Sequence, residues 1–163
     1  MILSPTPTSA PTATPVIETP TSAPTVTPTN SVSNEIPEPK NDIIIYSLNS
    51  DNFEKVAIPV MIDAGKITLF DLVKKITIAL EDESFSVKVT NARFEKTTAI
   101  VDFSADGTPG ASSPNYEASI LDCIAQSIIE NYESCTAVVF RIEGKEYVSS
   151  NFSFGIDEAY LIK

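Results

Sequence analysis

Residues 97–131 read TTAIVDF SADGTPGASS PNYEASILDCIAQSIIEN, and they decide the fold class. Thr97 to Phe103 alternates β-branched and apolar residues, which is the pattern of a strand. A loop rich in Gly, Pro and Ser follows from Ser104 to Ser113. Then comes a strong helix start: Ser113 at the N-cap, Pro114 at the first helical position and Glu117 as an acid in the first turn. Leu121, Ile124, Ala125, Ile128 and Tyr132 form an apolar stripe, so the helix runs to about Asn131.

The same grammar extends on both sides. Ser86 to Phe94 pairs with Thr97 to Phe103 as a hairpin turning at Glu95-Lys96. Thr68 to Leu80 reads as a helix, with Thr68 and Asp71 at capping-box spacing and Leu69, Leu72, Val73, Ile76 and Leu80 on one face. Before it lie strands at Asp42 to Leu48 and Lys55 to Ile62. Pro59 has no N–H to give, so the second of these is expected at an edge. After the long helix, Thr136 to Ile142 and Glu146 to Phe152 form a hairpin around Gly144-Lys145. The expected fold is α+β: a small mixed sheet of four to six strands with two helices packed on one face, around a β-α-β-β-α-β core.

Composition changes abruptly near residue 40. Residues 1–40 hold nine of the twelve Pro, nine Thr and five Ser, while all five Gly and all thirteen aromatics come later. An imperfect repeat, TPTSAPTATP at 6–15 and TPTSAPTVTP at 19–28, matches at nine of ten positions. Nothing there can offset the entropy of ordering, so 1–40 is expected to be a disordered spacer. Fully extended it reaches at most ~120 Å at ~3.1 Å per residue. The domain is then 41–163. Met1-Ile2-Leu3 is too short for the apolar core of a signal peptide, so either the protein is cytosolic or an export signal and anchor lie upstream, and the Thr/Pro tract favours the second.

The chemistry is narrow. The chain has 22 acids, 11 bases, no His and no Trp, with a net charge of −11. Such a balance disfavours nucleic acid and anionic membrane surfaces as partners. Without His, a His triad and a His metal site are excluded. Asp102, Ser104, Asp106 and Gly107 fall at positions one, three, five and six of a calcium loop, but position twelve is Ser113 in place of a bidentate acid. Ser104, Ser112 and Ser113 lie together without a base to activate them. Paired carboxylates of glycosidase type arise by chance among so many acids. No catalytic, cofactor-binding or metal-binding residue is therefore assigned, and no enzymatic activity is expected. Cys123 indexes to the side of the helix opposite Leu121 and Ile128, and Cys135 follows the helix end, so two free thiols are expected.

One resemblance covers most of the domain. Ala99 to Ser104 (AIVDFS) resembles the signature strand of the GerMN domain of sporulation and germination lipoproteins. The order continues with the early helical Glu117, with Val138 to Lys145 (VVFRIEGK), and with Gly155-Ile156-Asp157. Asp42 to Tyr46 fits the first strand and 68–80 the first helix, while Phe154 stands where the family often has His. The resemblance implies a core similar to ring-building motifs. It also implies an extracytoplasmic, membrane-anchored lipoprotein without catalysis, whose partners are proteins of the bacterial cell envelope. The alternative is a carbohydrate- or cell-wall-binding module, with Tyr116, Tyr147, Phe152 and Phe154 as its natural platform.

Residues 41–163 carry 19 acids and 10 bases, net −9, so identical copies repel one another. Light scattering on the isolated domain at micromolar concentration is expected to report a monomer. A stable oligomer in low salt would contradict the charge argument.

Overall fold

The computed structural model describes residues 36–61, 67–111 and 113–163. The Thr/Pro-rich spacer up to residue 35, Gly65 and Ser112 lie outside them. The fold is α+β, as expected: two helices, a six-stranded mixed sheet and a separate two-stranded sheet.

Strand β1 (Ile43–Leu48) pairs antiparallel with β2 (Lys55–Val60), from Ile43 opposite Val60 to Leu48 opposite Lys55. Pro59 does sit on an edge strand. The tight loop between them places Phe53 at φ 58°, a costly conformation for a bulky residue. Its ring is wedged against Tyr116 at 4.7 Å and Phe85 at 6.4 Å, contacts that hold the backbone there.

Helix α1 (Leu69–Asp82) begins with the reciprocal capping box anticipated at Thr68 and Asp71. The Thr68 hydroxyl oxygen accepts from the Asp71 N–H at 3.1 Å, and the Asp71 carboxylate accepts from the Thr68 N–H at 3.2 Å. All five residues of its predicted apolar face are buried. Strands β3 (Val89–Glu95) and β4 (Thr98–Phe103) form the second hairpin, turning at Lys96 with φ 57°. The loop after β4 is stitched back onto Lys88: the Lys88 N–H donates to the Gly107 carbonyl and the Ser104 N–H to the Lys88 carbonyl, each at 2.9 Å. A Cβ at position 107 would collide with the Lys88 side chain, so only glycine allows this approach.

Helix α2 (Pro114–Asn131) starts at Ser113 as expected. However, the Ser113 side chain makes no capping bond; its carbonyl accepts from the N–H groups of Tyr116 and Glu117. The helix carries the chain across to β5 (Ala137–Ile142), which runs parallel to β4. The next turn uses Glu143 and Gly144, both at positive φ, one residue earlier than expected and suited to a tight hairpin.

The strand expected from Glu146 to Phe152 ends at Val148, as β6 (Lys145–Val148), and a short unanticipated strand β7 (Ser153–Phe154) folds back on it. The Ser149 hydroxyl oxygen accepts from the N–H groups of Asn151 and Phe152, and this local turn replaces the ladder. A further strand that the sequence reading lacked, β8 (Ala159–Ile162), pairs antiparallel with the first half of β5. β6 pairs with the second half.

The core lies between the sheet and the helices. Ala92, Ala99, Val101, Phe103, Val138, Phe140 and Tyr147 join the buried faces of α1 and α2 in one cluster. β1 closes the other side of α2. The Ile44 N–H donates to Asn131 Oδ1 at 3.0 Å, Asn131 Nδ2 donates back to the Ile44 carbonyl at 2.5 Å, and the Tyr46 N–H donates to Ser127 Oγ at 2.8 Å. Two helical side chains thus replace a neighbouring strand. Cys123, indexed to the side of α2 away from the Leu121 and Ile128 stripe, is fully buried too, because β1 covers that side of the helix.

The domain also begins earlier than residue 41. Pro37 is buried, Pro39 bridges to Tyr132, and the Lys40 N–H donates to the Asn131 carbonyl at 2.8 Å. A chain cut to 41–163 is therefore expected to melt roughly 3–6 °C below one cut to 36–163, the loss of ~1 kcal/mol in bonding and burial. Equal midpoints in a thermal scan would place the boundary at 41 after all.

Candidate functional site

Three groups of residues were singled out for chemistry, and the fold treats them differently. The calcium-like series is pulled apart. Asp102 lies on the sheet face away from the helices, since Val101 and Phe103 point into the core. Its Oδ2 pairs with Arg93 Nη1 at 3.1 Å, and its Oδ1 accepts from the Gly144 N–H at 2.9 Å. Asp102 therefore ties β4 to β3 and to the β5–β6 turn. Asp106 turns elsewhere, accepting from Ser104 Oγ and pairing with Lys88 Nζ at 2.6 Å. The Lys88 bond, with the Ser104 bond behind it, holds the Asp106 carboxyl below its ordinary pKa. Among the described residues no group of three or more His, Cys, Asp or Glu is placed to hold a metal ion.

The four aromatics proposed as a sugar platform do not form a row. Tyr116 is half-buried between Phe53 and Phe85, with ring centroids 4.7 and 4.9 Å away. Tyr147, Phe152 and Phe154 belong to a second cluster, running through contacts of 5.9 Å (Phe152–Phe154), 5.5 Å (Tyr147–Phe154) and 5.8 Å (Tyr147–Phe103). Tyr147 is fully buried.

Between that cluster and α2 sits Glu117, the residue whose importance sequence reasoning missed. It reads from the sequence as an acid in the first turn of the helix, and it is completely buried. Oε1 accepts from the Tyr147 hydroxyl at 2.6 Å and Oε2 from Asn151 Nδ2 at 2.7 Å. Gly110 lies so close that a Cβ there would press on Ser149 and come within 3.2 Å of Oε1. A signal was present: Glu117 precedes Leu121, Ile124 and Ile128 by four, seven and eleven residues, which is the spacing of the apolar stripe itself. One turn on, the Tyr160 hydroxyl donates to Asp122 Oδ1 at 2.8 Å. Burial first, and the neighbouring carboxylates next, push Tyr147 and Tyr160 well above the ordinary tyrosine pKa. Burial alone dominates at Tyr132, pushed up to about 12. These groups are joined to one another inside the fold.

Cys123 and Cys135 are free and buried. Burial pushes the Cys123 thiol up to about 12, against a smaller opposing pull from Lys55, and raises Cys135 too. Neither has the lowered pKa of a reactive nucleophile.

A surface of a different kind is offered by the β1–β2 sheet. β1 is closed on α2, while β2 carries exposed residues along most of its length. Val56 and Ile44 are both about two-fifths exposed, at 43% and 40%. This edge is the strongest candidate contact surface. No family model matches the chain, and no curated protein or solved structure matches it.

Replacing Glu117 by Ala strands the buried Tyr147 hydroxyl and removes the acceptor of one Asn151 amide bond, and is expected to cost roughly 2–4 kcal/mol in denaturant unfolding. Gln keeps one acceptor and should cost about half as much. The tyrosines add a pH dependence. Their folded pKa values are raised above the ordinary value of 10.0, so the stability they confer is complete below pH 10. It is lost as pH rises from there through the folded values, because the unfolded chain ionises first. Unfolding midpoints that stay level between pH 9 and about 12 would contradict this.

Proposed function

We propose that the chain acts without catalysis, as an interaction or scaffolding module of the bacterial cell envelope, tethered through an upstream anchor and held off it by the Thr/Pro-rich segment. The observation that carries this reading is the outer edge of β2, which no strand among the described residues pairs, flanked by half-covered apolar side chains. Exposed edges are where strands from other chains add. The likeness of Ala99 to Ser104, Val138 to Lys145 and Gly155 to Asp157 to GerMN domains supports the same class and suggests a role in sporulation or germination.

The carbohydrate-binding alternative draws less support. Sugar platforms need coplanar, solvent-facing rings, and Tyr147, Phe152 and Phe154 pack on one another. An acidic domain of net −9 also favours a basic protein over polyanionic wall polymers.

The test uses a photo-crosslinking residue at Ala57 on β2, with Glu146 on the far sheet as the control, in the anchored protein of a spore-forming bacterium. Position 57 is expected to yield adducts of discrete protein mass that position 146 lacks. Absence of protein adducts, together with co-sedimentation on purified peptidoglycan sacculi, would replace this reading by the wall-binding one.

A further inference from the structure

The register of β1 and β2 fixes what the open edge offers. The N–H groups of Ile44 and Tyr46 point to α2, so the alternate residues Ile43, Ile45 and Ser47 bond to β2. Their partners are Val60, Ile58 and Val56. The backbones of Lys55, Ala57 and Pro59 therefore face outward. Pro59 occupies one of the positions where its missing N–H breaks no bond to β1. The edge presents N–H groups at Lys55 and Ala57 and carbonyls at Lys55, Ala57 and Pro59.

Side chains divide by the same alternation. Val56, Ile58 and Val60 lie on the face of Ile43 and Ile45, but those two are buried while the β2 residues stay partly open. A third strand would cover that row. Charge sets what else the strand must carry. Asp42 borders a hollow of about 680 Å³ lined also by Ile43, Ile44, Pro59 and Val60. Asp51 and Glu54, both exposed, stand at the opposite end. The single cation of β2, Lys55, is turned onto Gln126 and lies over the Tyr46 ring at 4.8 Å.

We infer that β2 takes an extended protein segment in which apolar residues alternate with lysine or arginine, added as a third strand to the β1–β2 sheet. The inference rests on the interaction-module reading and names the chemistry of its partner. By contrast β3, one of the outer strands of the larger sheet, is interrupted by a bulge between Val89 and Asn91 and carries Arg93 and Glu95. Such features discourage strand addition.

The probe is a synthetic peptide of alternating valine and lysine, followed by amide NMR on the full chain. Shifts are expected to centre on Lys55 and Ala57 and to shrink as salt rises. Ala57→Pro removes an outward donor without touching β1 and should weaken binding about tenfold. Val56→Lys, at an exposed site, should weaken it similarly by putting a charge against the peptide's apolar face and keeps the test valid if the proline variant unfolds. Equal binding of a valine–glutamate peptide, or undiminished binding by both variants, would overturn the inference. So would a dimer in light scattering that Ala57→Pro dissolves, since a second copy would then own the edge. If the anchored protein still gives adducts at position 57 while the peptide fails, only this inference falls; loss of the adducts themselves sinks the reading beneath it.

Discussion

The fold depends on how the inner edge of β1 is satisfied. A strand packed against a helix leaves backbone N–H and C=O groups facing apolar surface, and each group without a partner costs roughly 1–3 kcal/mol. Here Asn131 takes both groups of Ile44, and Ser127 takes the N–H of Tyr46. This seals one side of the β1–β2 sheet to α2 and so leaves β2 as its outer face. It also explains why α2 is buried on more than its apolar stripe. The helix serves the six-stranded sheet with Leu121, Ile124 and Ile128 and the small sheet with Ser127 and Asn131.

Much of this was legible because it is local. The capping box at Thr68 and Asp71, the five-residue face of α1 and the edge position of Pro59 follow from periodicity and backbone chemistry alone. So does the start of α2, although Ser113 contributes its carbonyl and not its hydroxyl. What stayed hidden is non-local. Nothing near Asn131 or Ser127 in the sequence says that a strand more than eighty positions away will seek their amide and hydroxyl. β8 is four residues long and acquires its role only by filling the half of β5 that β6 leaves open. Ser149 broke the expected strand by offering a local bond that pattern counting does not weigh.

The residues that looked chemical turn out to hold elements together. Asp102 joins β4 to β3 and to the β5–β6 turn through one carboxylate, and Glu117 joins the start of α2 to the β6–β7 hairpin. Both are buried acids with two partners each, an arrangement that is costly to enter and costlier to break. Acids used in this way are unavailable for hydrolysis or metal binding. The proposed interaction role rests instead on the β2 edge, whose backbone groups face away from β1.

Double coverage of α2 has a further consequence, for chemical ageing. Cys123 lies one turn before Ser127, beneath the small sheet, and its carbonyl accepts the Ser127 hydroxyl. Oxidants attack thiolates that solvent can reach. Here the thiol is fully buried and its pKa lies near 12, so neither condition is met while β1 stays docked. The sulfur thus reports on the seal: sulfenic acid or mixed disulfide at Cys123 would record past openings of the β1–β2 sheet, molecule by molecule, in protein recovered from an oxidising compartment.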